Sequence, residues 1–163
     1  MLRIGQKYFK SAMGCDVSEG MLQSCADLKV RVQPSPEEIP FDNNSIDLVT
    51  AACVYHHIPL DRRLLFTAEI LRVLRPGGIF CIIEHNPLSP VTRRIVSRTP
   101  VEADAILLRA GASASLLTTA GARVLDTRYF LWFPQQIHKY MSALENGLSS
   151  IPMGGQYAVF ASK

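Results

Sequence analysis

A chain of 163 residues buries roughly 70% of the surface that its unfolded form exposes, enough for one domain with a core and too little for two full ones. Apolar residues make up 48% and charged residues 19%, a balance that excludes a disordered chain, a collagen-like repeat and a long solvated coiled coil. Lys and Arg exceed Asp and Glu only by 17 to 14, and the largest basic groups are the pairs Arg62-Arg63 and Arg93-Arg94, so the charge pattern argues against nucleic acid as a partner.

In chain order, Gln6 to Ala12 reads as the end of a helix, and Met13-Gly-Cys-Asp16 as a short apolar strand stopping at an acid. Ser18 is placed to cap a helix whose apolar stripe is Met21, Cys25 and Leu28. Lys29 to Gln33 alternates charge with valine as a strand does, and Pro34-Ser-Pro36 ends it. Ile46 to Cys53 follows the turn residues Asp42-Asn-Asn-Ser45 as a near-continuous apolar run, which predicts a strand buried on both faces. Leu64, Ala68, Leu71 and Leu74 recur at helical spacing, and Pro76-Gly77-Gly78 stops that helix. A buried strand over Ile79 to Glu84 comes next. Helices around Val91 to Arg98 and Ser113 to Ala120, a long strand from Arg123 to Phe133, an amphipathic helix around Gln135 to Leu144 and a last strand over Tyr157 to Phe160 complete the chain.

Strands alternating with helices predict one α/β domain over residues 1–163, an open and mostly parallel sheet with helices on both faces and an antiparallel pair at the end. Ligands of such sheets lie beyond the carboxyl ends of the strands, where the strand order reverses. That rim collects Asp16, Tyr55-His-His57 and Glu84-His-Asn86. The longest apolar run, Gly78 to Ile83, is far short of the roughly 18 to 20 residues that cross a bilayer. The N-terminus lacks the apolar stretch of a secretory signal. The four cysteines, Cys15, Cys25, Cys53 and Cys81, are widely spaced on apolar segments, which suits buried thiols in a reducing cytoplasm and neither a disulfide framework nor a metal site.

The blocks Ile39-Pro-Phe-Asp-Asn-Asn-Ser-Ile-Asp-Leu-Val49 and Ile70-Leu-Arg-Val-Leu-Arg-Pro-Gly-Gly78, in that order and separated by one helix, resemble those of a class I S-adenosylmethionine-dependent methyltransferase of the bacterial small-molecule type. The resemblance runs from about Gly14 to the end and implies a Rossmann-like sheet, S-adenosylmethionine as cofactor and a small-molecule acceptor, with no membrane or nucleic acid partner. Asp16 is similar to the acid that accepts hydrogen bonds from the cofactor's ribose hydroxyls, a task that suits a carboxylate because it takes two donors and its charge strengthens each bond. A helix-capping role for Asp16 is compatible with it. Ser35, or Glu37 after a shift of two residues, falls near the adenine amino group in this alignment, and Val17 and Ile39 are candidates for packing against the adenine rings. A solvated turn and plain core packing are the alternatives for these four.

His57 or His56 could remove a proton from the acceptor, since histidine titrates near neutrality. The alternative is that one histidine packs under the loop while the other is solvated. Tyr55, His85 and Asn86 are candidates for acceptor contact. Glu84 reads as structural, holding the loop Pro87-Leu-Ser-Pro90, and Tyr129, Phe130, Trp132 and Phe133 read as core. His57 and His85 lack further matching ligands, so no metal is expected.

The chain departs from the family at its front, where a first strand and a glycine-rich turn are expected and only Gly5 occurs among the first thirteen residues. In the family's sheet that strand lies between the second and the fourth. Its loss predicts weak cofactor binding and a homo-oligomer formed through exposed sheet edges. A catalytically inactive remnant acting as a binding or assembly module is the alternative function. A nicotinamide oxidoreductase is disfavoured by the Pro40-Phe41 and Arg75-Pro-Gly-Gly78 segments.

Overall fold

β-Branched and apolar runs form the main strands of the computed structural model, which describes residues 1–25, 27–133, 140–141, 144–145 and 147–163. In chain order the elements are α1 (Leu2–Gly5), β1 (Gly14–Asp16), α2 (Glu19–Gln23), β2 (Val30–Val32), β3 (Ile46–Ala52), α3 (Arg63–Val73), β4 (Leu74–His85), α4 (Pro90–Val96), α5 (Ala110–Thr119), β5 (Arg123–Phe130) and β6 (Gln156–Ser162). Single 3-10 turns at Tyr55–His57 and Pro100–Glu102 add to these.

The strands form two sheets. One pairs β1 with β2 in parallel, and the other has the order β3-β4-β6-β5. In the larger sheet β3 runs parallel to β4, while β6 is antiparallel to both β4 and β5. The α/β architecture and the antiparallel C-terminal pair are as the alternation of elements predicts, but the strands fall in two sheets rather than one mostly parallel sheet, and β6 is antiparallel to both of its neighbours. Among the described residues no strand joins β1 to β3, the place where the resemblance puts the family's first strand.

Parity along β4 sets the core. Phe80, Ile82 and Glu84 are fully buried on one face, whereas Ile79, Ile83 and His85 on the other are half-buried. On the buried face α3 and α5 pack against each other and against β4, β5 and β6. They cover Phe80 and Ile82 of β4 and Tyr157 and Val159 of β6 with Ile70, Leu71 and Leu117. At about 25 cal/mol per Å² of apolar surface removed from water, each such large side chain contributes about 2 kcal/mol.

Several expectations are corrected. α1 ends at Gly5, so Gln6 to Ala12 is turn and loop. Tyr8 and Phe9 are exposed there and leave a longer helix with no apolar face to bury. Ser18 does cap α2, its hydroxyl accepting the Met21 N–H, but the helix is one turn long and Met21 points to solvent. β3 is buried over little of its length because it is an edge strand. α3 stops at Val73, where Leu74 turns extended (φ −67°, ψ 135°). Arg75 to Gly78 therefore belongs to the irregular start of β4, between the pairs Leu74 with Ile46 and Ile79 with Leu48. β5 ends at Phe130 because Leu131 takes a φ of 57°. The helix expected around Gln135 to Leu144 falls mainly outside the described residues. No helix among the described residues is long and apolar enough to cross a membrane.

Candidate functional site

β3 and β4 end side by side, and the chain leaves β3 through Cys53, whose φ of 56° is a backbone conformation that a residue with a Cβ seldom adopts. That turn directs the next residues back across the end of β4. Glu84, fully buried on β4, receives them: its Oε1 accepts the N–H groups of Val54 (2.9 Å) and Tyr55 (2.7 Å), and its Oε2 accepts from His56 Nδ1 at 2.5 Å. Glu84 is structural, as its position suggests, but it holds the turn after β3 and not the loop Pro87 to Pro90.

Asn86 holds that second loop. Its Oδ1 accepts the Leu88 N–H (3.0 Å), and its Nδ2 donates to the carbonyls of Pro152 (3.2 Å) and Gly154 (2.8 Å). It is 1% exposed and each of its polar atoms is engaged, which removes it from acceptor contact. Tyr55 is removed as well. Its ring, wholly buried, packs edge-on to Phe66 at 5.4 Å, and its hydroxyl lies 2.9 Å from Thr67 Oγ1. The ring fills core space because the chain reversal at Cys53 aims it inward.

The two neighbouring histidines divide. The His56 side chain is completely buried, while that of His57 is 43% exposed. Glu102, from the 3-10 turn Pro100–Glu102, approaches both, with its Oε2 3.0 Å from His56 Nε2 and 3.8 Å from His57 Nε2. His85 completes the group, its ring 5.3 Å from that of His56 and its Nε2 3.8 Å from Cys53 Sγ. The segment carrying Glu102 is fastened to the histidine turn by the Ile106 N–H, which donates to the His56 carbonyl (2.8 Å). Buried Arg63 spans the Ile58 (2.9 Å) and Ile106 (2.8 Å) carbonyls.

The charges act on one another. Burial works to lower the pKa of His56, but the hydrogen bond and charge of Glu84, with a further part from Glu102, raise it above its ordinary value. His85 is shifted downward by burial first and by the positive charge of His56 second. Burial, with Glu84 and Glu102 adding, pushes the Cys53 thiol up to about 11, so Cys53 is no thiolate nucleophile near neutral pH.

The β1–β2 side is looser. Asp16 stands half-buried at the carboxyl end of β1, where its Oδ1 accepts the Ser18 N–H at 2.8 Å. Among the described residues its Oδ2 makes no hydrogen bond. Val17 beside it is half exposed. Ser35 is tied into a bridge with Glu38, and the Glu37 carboxylate pairs with Arg62 at 3.5 Å. Ile39 is only 7% exposed and belongs to the core, while it also borders the cleft over Glu37 to Asp42.

Two clefts adjoin these residues. One, of about 480 Å³, runs over Glu37 to Asp42 beside Glu69 and Arg72 and includes neither Asp16 nor a histidine in its walls. The other, of about 510 Å³, is lined mainly by apolar side chains, among them Leu60, Leu88, Ile106, Leu108 and Tyr129, with Arg63 at its edge. It too includes neither Asp16 nor a histidine in its walls, but it shares Ile106 with the segment bonded to the histidine turn.

Sequence reasoning places His56, His57 and His85 on one rim, and the structure brings them together. It misses Glu102, which no local pattern marks, and Arg63, whose burial on the first turn of α3 is not visible in the spacing.

The profile of a family described as the methyltransferase domain matches residues 1–82. Phthiotriol/phenolphthiotriol dimycocerosates methyltransferase of Mycobacterium tuberculosis is 43% identical over 56 residues, 34% of this chain and 20% of that protein. Demethylmenaquinone methyltransferase of Clavibacter sepedonicus is 36% identical over 89 residues, 50% of this chain and 36% of that protein. The chain thus spans about a fifth to a third of the curated relatives it matches. Among solved structures, a S-adenosylmethionine-dependent methyltransferase from Archaeoglobus fulgidus superimposes with a TM-score of 0.77 at 16% identity, covering 99% of this chain and 80% of that one.

Proposed function

We infer the role of this chain from the premise that it belongs to the class I S-adenosylmethionine-dependent methyltransferases: it binds S-adenosylmethionine through Asp16 and presents a small-molecule acceptor from the cleft beneath the histidine rim. The observation that carries the cofactor reading is Asp16 itself, at the carboxyl end of a parallel strand with one oxygen engaged locally and Oδ2 uncommitted. That oxygen fits a ribose hydroxyl, and its charge strengthens the bond. Val17, half exposed beside it, offers an apolar surface to an adjoining ring.

Bound S-adenosylmethionine supplies an electrophilic methyl group on a sulfonium, and the protein's part is to align the acceptor and take its proton. His57 suits the second task better than His56. It is half exposed, and Glu102 lies 3.8 Å from its Nε2, close enough to stabilise an imidazolium once a proton has been taken. His56 is sealed from solvent and bonded to Glu84. The apolar walls of the second cleft support an acceptor with an apolar body, in keeping with the names of the two relatives above.

Calorimetric titration with S-adenosylhomocysteine tests the reading. The chain should bind it, and Asp16→Ala should weaken binding about tenfold or more, since a hydrogen bond to a charged group is worth about 1.5–3 kcal/mol. Unchanged affinity in a folded variant, or no binding by the parent chain, overturns the assignment.

A further inference from the structure

We propose that His56, His85 and Glu102 form a binding site for a divalent transition metal of the zinc class, set between the ends of β3 and β4 and the 3-10 turn Pro100–Glu102. One ligand atom from each residue lies within 4.8 Å of the other two.

The first argument is an orphaned pair of atoms. His56 Nε2 and Glu102 Oε2 are 3.0 Å apart, within ion-pair distance, yet they are not aligned for a hydrogen bond, and each is buried without a hydrogen-bond partner. Buried polar atoms nearly always have one, and an exception calls for a reason. A cation between the two supplies it. Ligand atoms about 2.0–2.1 Å from a tetrahedral zinc ion stand roughly 3.3 Å from one another, close to the spacing seen.

The second argument is orientation. Glu84 accepts from His56 Nδ1 at 2.5 Å, which puts a ring proton on Nδ1 and, in the neutral ring that a metal would select, turns the Nε2 lone pair toward the Glu102 carboxylate. A carboxylate behind a ligating histidine fixes its tautomer and raises its basicity. Glu84 is fixed in turn by the N–H groups of Val54 and Tyr55, so the ligand is held before any ion arrives. The competing arrangement is a doubly protonated His56 shared by the two acids, whose charges favour that form. It requires an Nε2–H aimed at Glu102, and that alignment is missing.

The donor chemistry selects the ion. Two imidazole nitrogens with one carboxylate oxygen suit zinc and its neighbours, whereas magnesium and calcium prefer an all-oxygen shell. Three protein ligands leave a coordination position open. His57 Nε2 lies 3.8 Å from Glu102 Oε2, and Cys53 Sγ lies 3.8 Å from His85 Nε2.

The site is independent of the cofactor, so its test is too. The full chain is freed of metal with a chelator and titrated with Zn2+ by calorimetry, then with Co2+ while the visible absorption bands of a low-coordinate ion are followed. One equivalent should bind. His85→Asn and Glu102→Gln should each weaken Zn2+ binding at least tenfold and diminish the Co2+ bands, while circular dichroism shows both variants folded. Absence of binding overturns the proposal, as does one-equivalent binding that neither substitution weakens. Because S-adenosylhomocysteine affinity is measured separately, failure here and failure of the methyl-transfer reading are distinguishable.

Discussion

The two sides of the rim are built on different principles. Beyond β3 and β4, the side chains of Glu84, His56 and Asn86 are buried and bonded to backbone groups or to one another across distant parts of the chain. Beyond β1 and β2, Asp16, Ser35 and Glu37 make turn-local bonds or a surface ion pair, and Val17 is half exposed. Polar networks in a low-dielectric interior are costly when any member is lost, and fully satisfied ones fix geometry. The difference is one of preorganisation: the four-stranded side fixes its polar side chains within the fold, and the β1–β2 side leaves a few groups accessible.

The largest expected effect tests the rigid side. Glu84→Ala leaves two backbone N–H groups and His56 without their shared acceptor, and breaking a buried pair of this kind costs about 3–5 kcal/mol. Asp16→Ala removes one hydrogen bond, from the Ser18 N–H to the carboxylate, at a half-buried position, worth at most about 1.5–3 kcal/mol. Urea denaturation of both variants measures the contrast, and similar losses would abolish it. Within the rigid side the two histidines should part in the same way. His57→Asn should lower kcat about a hundredfold, a typical share for a positioned general base, with S-adenosylhomocysteine affinity and urea midpoint nearly unchanged. A parallel fall in stability would show that His57 also acts as a structural residue.

Much of this division is legible in the alternation of β4, and the rest is not. Residues two apart on a strand share a face, so Phe80, Ile82, Glu84 and Asn86 turn into the core together while His85 turns the other way. Treating Glu84-His-Asn86 as one ligand-facing group misplaces Asn86, although strand parity separates it from His85. Tyr55 is harder, because the reversal at Cys53 is a positive-φ conformation in a residue other than glycine, and no turn residue announces it. Ile39 reads equally as packing against adenine and as core. It becomes core because Arg72 draws its carbonyl, and that of Phe41, onto α3 at 2.9 and 3.0 Å. Glu102 comes from a segment with neither periodicity nor motif, and only the long-range bonds of Arg63 and Ile106 bring it to the histidines.

The smallest effect lies at the seam between the two sides, where Glu69 and Arg72 of α3 tie down the segment leading from β2 to β3. Arg72 Nε donates to Glu69 Oε1 at 2.8 Å, and Glu69 Oε2 accepts the Ile39 N–H at 3.3 Å. The hydrogen bond from Arg72 comes first in holding the Glu69 carboxyl below its usual range. Burial opposes it, and the Ile39 N–H and the charge of Arg72 assist. A carboxyl depressed in the folded state contributes stability above its unfolded pKa of about 4.3, and that contribution fades as pH falls through the folded value. The pair is a quarter to a third exposed, so solvent screening limits it to about 0.2–1 kcal/mol. Glu69→Gln should therefore lower the urea midpoint slightly at pH 7, and the gap from the parent should close on acidification below about pH 4. A gap that stays constant with pH would mean that Glu69 acts through packing and neutral hydrogen bonds, and that the seam is held without charge.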